Sequence, residues 1–365
     1  MSVAIAGRSI GPDHPPYIIA EMSGNHNGRL DRALKLIDAA KAAGADAVKL
    51  QTYTADTMTI DHHGPGFDIE SGLWKGRSLY ELYQEAHTPW EWHEALFAHG
   101  RKIGITVFST PFDSTAVAYL DKLGAPAFKI ASFEVTDLPL IEEVARRKKP
   151  IIVSTGMASD AEIGEALGTI RALGAAPVVL LHCISAYPTP ASEMNLRRIA
   201  YLGTKFGALP GLSDHSMGTT VAVASIALGA TVIEKHFTLA RSDGGPDGSF
   251  SLEPPELAEL VRGARTAWEA LGKPAAGVKP SEAQNLQFRR SLYVVADIKR
   301  GESFTAANIR AIRPGFGLPP KFLAQTIGRV ATRDLARGTP LAHEHIADDT
   351  ASVASQPSDR TTVKA

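Results

Sequence analysis

The segment ALGATVIEKH, residues 227–236, joins a helical pattern to a strand pattern across one glycine. A glycine at this point suits the left-handed C′ position after a helix, and the β-branched residues that follow favour a strand. The same succession occurs in AAGADAVKLQ (42–51), KLGAPAFKIA (122–131) and ALGAAPVVLLH (172–182). The chain therefore repeats one helix-to-strand unit at least four times.

Four further β-rich runs complete this pattern: YIIAE (17–21), ITVFST (105–110), IIVST (151–155) and LPGLSD (209–214). Eight alternating strand and helix units over about 250 residues predict a TIM barrel. A doubly wound sheet is the alternative, but no Gly-x-Gly-x-x-Gly follows the first strand. We therefore predict an eight-stranded α/β barrel over residues 1–272.

The composition is that of an ordinary globular protein, with 365 residues, 44% of them hydrophobic, and a net charge of −1. A near-neutral chain has no global field to attract nucleic acid or an anionic membrane. The single cysteine, Cys183, allows no internal disulfide and fits a reducing compartment. Pro and Gly interrupt the N-terminal segment, and no apolar run approaches the ~20 residues of a membrane span. We expect a cytoplasmic protein with no nucleic-acid or membrane partner.

The composition changes after residue 272. Residues 273–288 form a predicted linker, and SLYVVADI (291–298) opens a second module, residues 289–347, whose closely spaced turns predict a small strand-rich fold. Over 289–346 there are ten basic residues and four acidic ones, which indicates either an anionic partner or a solvated basic face. Residues 348–365 have almost no apolar content, and we expect a disordered tail.

Polar residues end the predicted barrel strands, where TIM barrels carry their chemistry. Residues two apart on a strand share a face, so Lys49 with Gln51, and Glu234 with His236, are expected to point together into the barrel mouth. The polar residues at these strand ends are Glu21, Lys49, Gln51, Ser109, Thr110, Lys129, Ser132, Ser154, Ser185, Ser213, His215, Glu234 and His236. Together they predict one large polar site.

Two lysines with nearby hydroxyl groups are suited to hold a phosphate, because lysine supplies charge and hydroxyls supply directed hydrogen bonds. The residues of this predicted cradle are Lys49, Lys129, Ser132, Ser154 and Ser213. A Schiff-base aldolase also uses a barrel lysine and is the alternative at this point.

Two histidines, His215 and His236, end consecutive strands. With an open coordination sphere they suit one exchangeable divalent ion such as Mn²⁺, with Mg²⁺ or Co²⁺ as possibilities, whose work would be Lewis-acid polarisation of a carbonyl. The alternative is that both histidines are packing residues.

Several motifs, spread in order from about residue 16 to 346, resemble those of the sialic acid synthase family. The family's C-terminal antifreeze-like (SAF) domain resembles the second module through RPGFGLPP. The motifs that carry the resemblance best are AEMSGNHNG (20–28), FKIASFEVTDLPLI (128–141), GLSDHSMG (211–218), VIEKHFTL (232–239) and RPGFGLPP (313–320). The resemblance implies a TIM barrel followed by a small β-rich SAF domain.

The resemblance also implies a reaction. Phosphoenolpyruvate condenses with the open-chain aldehyde of an N-acetylated amino sugar to give a nine-carbon 2-keto acid and phosphate. Within the family, AEMSGNHNG, SLYELYQEAHTPWEWH (78–93) and RSDGGPDGSFSLEP (241–254) most resemble the members that use 2,4-diacetamido-2,4,6-trideoxy-altrose. Another N-acetylated amino sugar, as in synthases of N-acetylneuraminate or legionaminate, is the alternative substrate.

The same resemblance implies roles for individual residues. The metal on His215 and His236 would polarise the aldehyde, and Glu134 would lie beside the phosphoenolpyruvate carboxylate or the attacking water. The phosphoenolpyruvate-binding positions are matched by Lys49, Lys129, Ser132, Ser154 and Ser213. Positions that hold the sugar or assist proton transfer and water activation are matched by Glu21, Gln51, Thr110, Tyr187 and Asp247. Ser185 replaces an asparagine of the sialic-type enzymes, which favours a different acetamido sugar.

The family further implies a domain-swapped homodimer in which each SAF module covers the partner's barrel mouth and Arg313 donates to an acetamido carbonyl. Among the other candidates, His26 is either a sugar contact or a turn-stabilising residue. His182 is expected to pack inside its strand, and Cys183 to be buried and inert. A carbohydrate- or ice-binding protein would leave the polar barrel mouth without a purpose. Other phosphoenolpyruvate-condensing enzymes lack the C-terminal module.

Overall fold

The computed structural model describes residues 2–174 and 177–348. The chain divides into two compact units, of which the first ends at Gly272 and the second begins at Lys273. The predicted disordered tail, apart from Asp348, lies outside the described residues.

Eight parallel strands of the first unit close into a barrel in the order β10-β3-β4-β5-β6-β7-β8-β9, which confirms the predicted TIM barrel. The barrel strands are β3 Tyr17–Glu21, β4 Ala47–Thr52, β5 Thr106–Pro111, β6 Phe128–Ile130, β7 Ile151–Ser154, β8 Val178–Cys183, β9 Leu209–Asp214 and β10 Val232–His236. An antiparallel hairpin, β1 Val3–Ile5 and β2 Arg8–Ile10, precedes them.

Helices follow the barrel strands, and most of them cover the outside of the barrel, whereas the second and third belong to the segment between β4 and β5. They are α1 Leu30–Ala43, α2 Ala55–Met58, α3 Leu79–Ala86, α4 His93–Ile103, α5 Ser114–Lys122, α6 Leu138–Ala145, α7 Asp160–Ala172, α8 Arg198–Phe206, α9 Thr220–Ala227 and α10 Pro254–Leu271. The glycines of the four repeats all have left-handed backbones, with φ between 77° at Gly124 and 95° at Gly229. Among the residues described, no helix has both the length and the apolarity that crossing a bilayer requires.

The barrel interior changes from apolar to polar along the strands. At the N-terminal ends, inward residues such as Tyr17, Ala47 and Val232 pack with the β1–β2 hairpin in one buried cluster. Two to four residues later, the inward positions carry charged or polar side chains, as Val232 gives way to Glu234 and His236. The apolar half thus supports a polar half that opens at the C-terminal ends.

The second unit has its own small core, which includes Leu292, Phe304 and Ile309. Its one sheet within the described residues pairs β11 Ser291–Val294 with β12 Ile309–Ile312, and isolated antiparallel bridges add to it. A short helix, α11 Leu323–Thr326, follows. The predicted linker is not all coil, because Pro280–Phe288 forms an exposed 3₁₀ helix.

Gly100 of α4 provides a test of how closely the helical layer packs on the barrel. A Cβ atom there would overlap the Val107 side chain of β5, whereas one on Gly164, at an open position of α7, would meet nothing. We expect Gly100→Ala to lower the free energy of unfolding by about 1–3 kcal/mol through overpacking. Gly164→Ala should raise it by up to about 1 kcal/mol, because alanine is the better helix former.

Urea unfolding followed by tryptophan fluorescence measures this prediction, since all four tryptophans lie in the first unit. Equal stability of the two variants would mean that α4 does not pack on β5 as closely as described.

Candidate active site at the barrel mouth

A network of buried charges occupies the polar half of the barrel. Lys49 Nζ lies 2.8 Å from Glu21 Oε2 and 3.4 Å from Glu234 Oε1, and Lys129 Nζ lies 3.8 Å from the same Glu234 oxygen. All four side chains are at most 7% exposed. Glu234 therefore links the two lysines that the sequence predicted as an anion cradle.

Two of the other predicted residues orient this network. Lys49 Nζ also donates to Thr110 Oγ1 at 3.1 Å, and Gln51 Nε2 donates to Glu21 Oε1 at 3.0 Å. Each comes from a strand end, as the two-residue periodicity predicted. Glu234 had no predicted role beyond its place at the mouth, although it lies two residues before His236 on the same strand face.

Burial and the attraction between opposite charges shift the pKa values of the network in different directions. Burial raises the pKa of Glu21 despite the adjacent Lys49. Burial acts in the same direction on Glu234, but Lys129 and Lys49 outweigh it and lower that pKa. Burial lowers the pKa of Lys129, and Glu234 is the main group that opposes the effect. Of the two carboxyl groups in the network, Glu234 is therefore the one that the lysines favour as the charged form, whereas burial favours the protonated form of Glu21.

The predicted hydroxyl groups lie around the same network. Ser132 and Ser185 share a hydrogen bond of 2.7 Å between their Oγ atoms, and Ser213 Oγ donates to Glu234 Oε1 at 3.4 Å. Ser154 Oγ is buried and has no hydrogen-bond partner among the described residues. An unpartnered buried hydroxyl costs free energy, so Ser154 is suited to a ligand that completes its hydrogen bonds.

Glu134 follows Ser132 in the loop after β6. Burial raises its pKa to about 7, against the attraction of Lys129. Its Oε2 atom is buried and unpartnered within the described part of the chain. A carboxyl group in this state can exchange a proton near neutral pH, as a general acid or base must.

His215 and His236 lie side by side, with 5.4 Å between their ring centroids. His215 Nδ1 donates to the Ile184 carbonyl at 2.8 Å, which leaves Nε2 of the neutral ring with a lone pair. Burial lowers the pKa of His236 well below its ordinary value, and its Nδ1 atom is buried without a hydrogen-bond partner in the described residues. Both rings therefore have a nitrogen available as a metal ligand.

The two rings differ in how firmly they stay neutral. Burial acts to lower the pKa of His215, but the Cys183 thiol 4.0 Å away and the Ile184 carbonyl outweigh it and raise the pKa. A metal ion would compete with a proton for this ring. Across residues 2–174 and 177–348, no cluster of three or more His, Cys, Asp or Glu side chains is arranged to hold a metal. An ion held by the two histidines alone would need its other ligands from water or substrate.

Asp247 and Tyr187 complete the mouth beside the two histidines. Asp247 Oδ2 accepts a hydrogen bond from Ser23 Oγ and lies 3.7 Å from His236 Nδ1. The Tyr187 ring lies 4.4 Å from the His215 ring and 5.5 Å from Phe250. Neither Ser23 nor Phe250 was singled out from the sequence.

A cavity of about 510 Å³ opens from this polar floor. Gln51, Tyr187, His236 and Asp247 line one side. The opposite side is largely apolar and comes mainly from the segment between β4 and α4. Its residues include Met58, Ile69, Trp74, Leu79, Leu82 and Tyr83. Part of this segment, residues 78–93, contributes to the family resemblance, but no local pattern in the sequence predicted it as a wall of the site.

The remaining histidine candidates are structural. His26 Nδ1 accepts from the Gly28 amide at 3.1 Å, and burial lowers the His26 pKa to about 4, so the ring stabilises its own turn. His182 Nε2 donates to the Met194 carbonyl at 2.6 Å, in agreement with the predicted packing role. Cys183 is buried.

Arg313 belongs to the second unit. Its side chain is exposed and has no hydrogen-bond or ion-pair partner among the described residues. Phe316, three residues later in the same loop, is 69% exposed. Gly315 N donates to the Gln287 carbonyl at 2.9 Å and fixes the base of the loop.

Both units of the chain are similar to known proteins. The model of the NeuB family matches residues 36–276, and that of the SAF domain matches residues 289–347. A pseudaminic acid synthase of Helicobacter pylori is 43% identical over 333 residues, which cover 91% of this chain and 98% of that protein. A pseudaminic acid synthase of Campylobacter jejuni serotype O:23/36 is 44% identical over 329 residues, covering 90% and 96%.

A solved structure is similar as well. It is the N-acetylneuraminic acid synthetase of Leptospira borgpetersenii serovar Hardjo-bovis in complex with citrate. This structure aligns with a TM-score of 0.71 at 32% identity, over 79% of this chain and 96% of that one.

Proposed function

The chain belongs to the NeuB family, as the sequence motifs predicted, and we propose that it is a pseudaminic acid synthase. It condenses phosphoenolpyruvate with 2,4-diacetamido-2,4,6-trideoxy-altrose, in its open-chain form, to a nine-carbon 2-keto acid and phosphate. This proposal rests on one observation. Two buried lysines lie at the same barrel mouth as two adjacent histidines whose rings can be neutral. An anion and a carbonyl compound can thus be held side by side.

The choice of sugar rests on similarity to two pseudaminic acid synthases over at least 90% of this chain. Ser185 supports it, because its hydroxyl is already bonded to Ser132 and offers no amide to a sialic-type sugar. N-acetylneuraminate or legionaminate synthase activity, with another N-acetylated amino sugar, is the alternative.

The proposed chemistry forms one C–C bond, and at C2 a C–O bond to the water oxygen replaces the C–O bond to phosphate. C3 of phosphoenolpyruvate attacks the aldehyde carbon, water adds to C2, and the tetrahedral intermediate expels phosphate. Lys49, Lys129 and the unpartnered Ser154 bind the anion. Glu21, whose pKa burial raises, can donate a proton to the nascent alkoxide. Glu134, whose pKa is raised to about 7, can accept one from the attacking water.

We propose that the reaction also uses a divalent metal ion, Mn²⁺. Bound by His215 and His236, it would supply Lewis-acid polarisation of the aldehyde. Asp247 and Tyr187 line the same corner and orient the sugar.

A Schiff-base aldolase is the second candidate. The lowered pKa of Lys129, which burial causes, is what a nucleophilic lysine requires. Trapping by borohydride in the presence of substrate separates the two chemistries.

Turnover of defined substrates tests the proposed function. We expect the protein, with Mn²⁺, to release phosphate from phosphoenolpyruvate only when 2,4-diacetamido-2,4,6-trideoxy-altrose is added. One nine-carbon acid should form per phosphate, as mass spectrometry would show. Phosphate release with N-acetylmannosamine but not with the diacetamido sugar would show that the protein has the activity of another member of the family. A protein inactivated by borohydride plus substrate, and insensitive to chelator, would instead be an aldolase.

Direct metal binding tests the role of the two histidines. His236→Ala should lose Mn²⁺ binding, measured by calorimetry or by the EPR signal of free Mn²⁺, because one of two protein ligands is gone. The control is His182→Gln, which alters a buried histidine that bonds only a carbonyl and should bind Mn²⁺ normally. Unchanged binding in His236→Ala would return both histidines to a packing role.

We further propose that the protein acts in the cytoplasm as a domain-swapped homodimer. Arg313 is exposed and has no hydrogen-bond or ion-pair partner in the described part of the chain, and its loop also exposes Phe316, which supports a contact outside its own unit. In the dimer, the SAF module of one protomer covers the barrel mouth of its partner, and Arg313 donates to an acetamido carbonyl of the sugar there.

Mixing two inactive variants tests this action in trans. Arg313→Ala should lose use of the sugar while phosphoenolpyruvate binding and dimerisation persist, because only a sugar contact is removed. His236→Ala should be inactive through its metal site. Heterodimers of the two would contain one intact composite site and recover activity. If heterodimers form, as native mass spectrometry would show, yet stay inactive, Arg313 does not act across the dimer.

A further inference from the structure

The two sides of the 510 Å³ cavity differ in chemistry. The near side, with Gln51, His236 and Asp247, is polar and adjoins the charge network. Ser71 and Tyr83, which carry hydroxyl groups, line part of the far side, but most of it comes from five apolar side chains, Met58, Ile69, Trp74, Leu79 and Leu82. Among the described residues, the far side has no charged side chain. We refer to these five residues as the apolar wall.

Trp74 is the point at which the apolar wall meets the near side. Its indole is half-buried, and Nε1 donates to the Pro246 carbonyl at 2.7 Å, next to Asp247. Its ring centroid lies 5.6 Å from that of Tyr187, which in turn packs against His215. Because the one polar atom of the indole is already bonded, Trp74 presents only hydrocarbon to the cavity.

A sugar whose aldehyde carbon lies at His236 can extend its remaining carbons into the cavity toward this wall. An apolar wall stabilises a methyl group by removing it from water. A hydroxyl held against these five side chains would lose its water and find no partner among them. A phosphate would in addition lack a counter-charge on this side of the cavity.

We propose that Trp74 and the apolar wall determine the specificity of the enzyme by binding the C6 methyl group of a 6-deoxy sugar, an inference that rests on the proposed function. Trp74 is the central contact, since it joins the wall to the residues around the reacting end through Pro246 and Tyr187. The wall selects neutral 6-deoxy sugars over 6-hydroxy and 6-phosphorylated ones.

The experiment compares two sugars that differ only at C6, namely 2,4-diacetamido-2,4,6-trideoxy-altrose and its 6-hydroxy analogue. We expect the wild-type kcat/KM to favour the 6-deoxy sugar by about 10- to 100-fold, the usual range for one group in an apolar pocket. Trp74→Ala, which opens this contact to water, should reduce the preference to about 3-fold or less. Trp74→Phe keeps an aromatic face and should retain most of it.

Two further variants make the comparison specific. Trp268→Ala removes another half-buried tryptophan whose Nε1 also donates to a proline carbonyl, that of Pro12, away from the cavity, and it should leave the preference unchanged. Ile69→Thr replaces an ethyl group on the wall with a hydroxyl and should shift the preference toward the 6-hydroxy sugar. The ratio of two kcat/KM values does not depend on how much enzyme is folded, so partial unfolding of a variant cannot imitate the effect.

The outcomes separate this inference from the proposed function. If Trp74→Ala and Ile69→Thr lower kcat/KM equally for both sugars, the wall does not discriminate between substituents at C6. The inference then fails while the synthase activity stands. If the wild-type enzyme shows no preference between the sugars, the inference fails in the same way. If neither sugar reacts with phosphoenolpyruvate, the proposed function fails and the inference with it.

Discussion

Lys49, held between Glu21 and Glu234 inside the barrel, is the interaction on which the site depends. Taking such charges out of water costs several kcal/mol per ion, and only close opposite charges and hydrogen bonds offset that cost. Lys49 has both carboxylates within 3.4 Å and a hydroxyl at 3.1 Å. Because these partners come from three different strands, the barrel must close in register for the charges to be tolerated.

The apolar half of the barrel, at the N-terminal ends of the strands, offsets this desolvation cost. The interior positions near the N-terminal ends are apolar, and the β1–β2 hairpin packs against them. The hydrophobic free energy of that half holds the strands in place whether or not a ligand is bound. A second buried pair, Lys235 with Asp214 at 2.8 Å, lies on the outward face of β10 and β9. Alternate residues of β10 thus belong to the candidate active site and to the structural support of the barrel.

The residues above the network divide the work of substrate recognition by chemistry. Charges and hydroxyl groups at the floor suit an anion that changes during the reaction. The aromatic series from His215 through Tyr187 to Trp74 leads to an apolar surface that suits a part of the substrate that does not react. The division follows from the origin of the residues, because strand ends are fixed by the barrel, whereas the segment between β4 and α4 can vary without disturbing it.

The sequence by itself determined the barrel, because helix-stop glycines and β-rich runs are local signals that repeat with the unit. Strand periodicity also determined which polar residues share a face, so Lys49, Gln51 and His236 could be predicted at the mouth. Only the tertiary structure revealed that Glu234 bridges two lysines and that Ser23 bonds Asp247, 224 residues away in sequence. It alone brought Trp74 opposite the histidines, since the folding of an irregular segment over the barrel depends on contacts that no local pattern encodes.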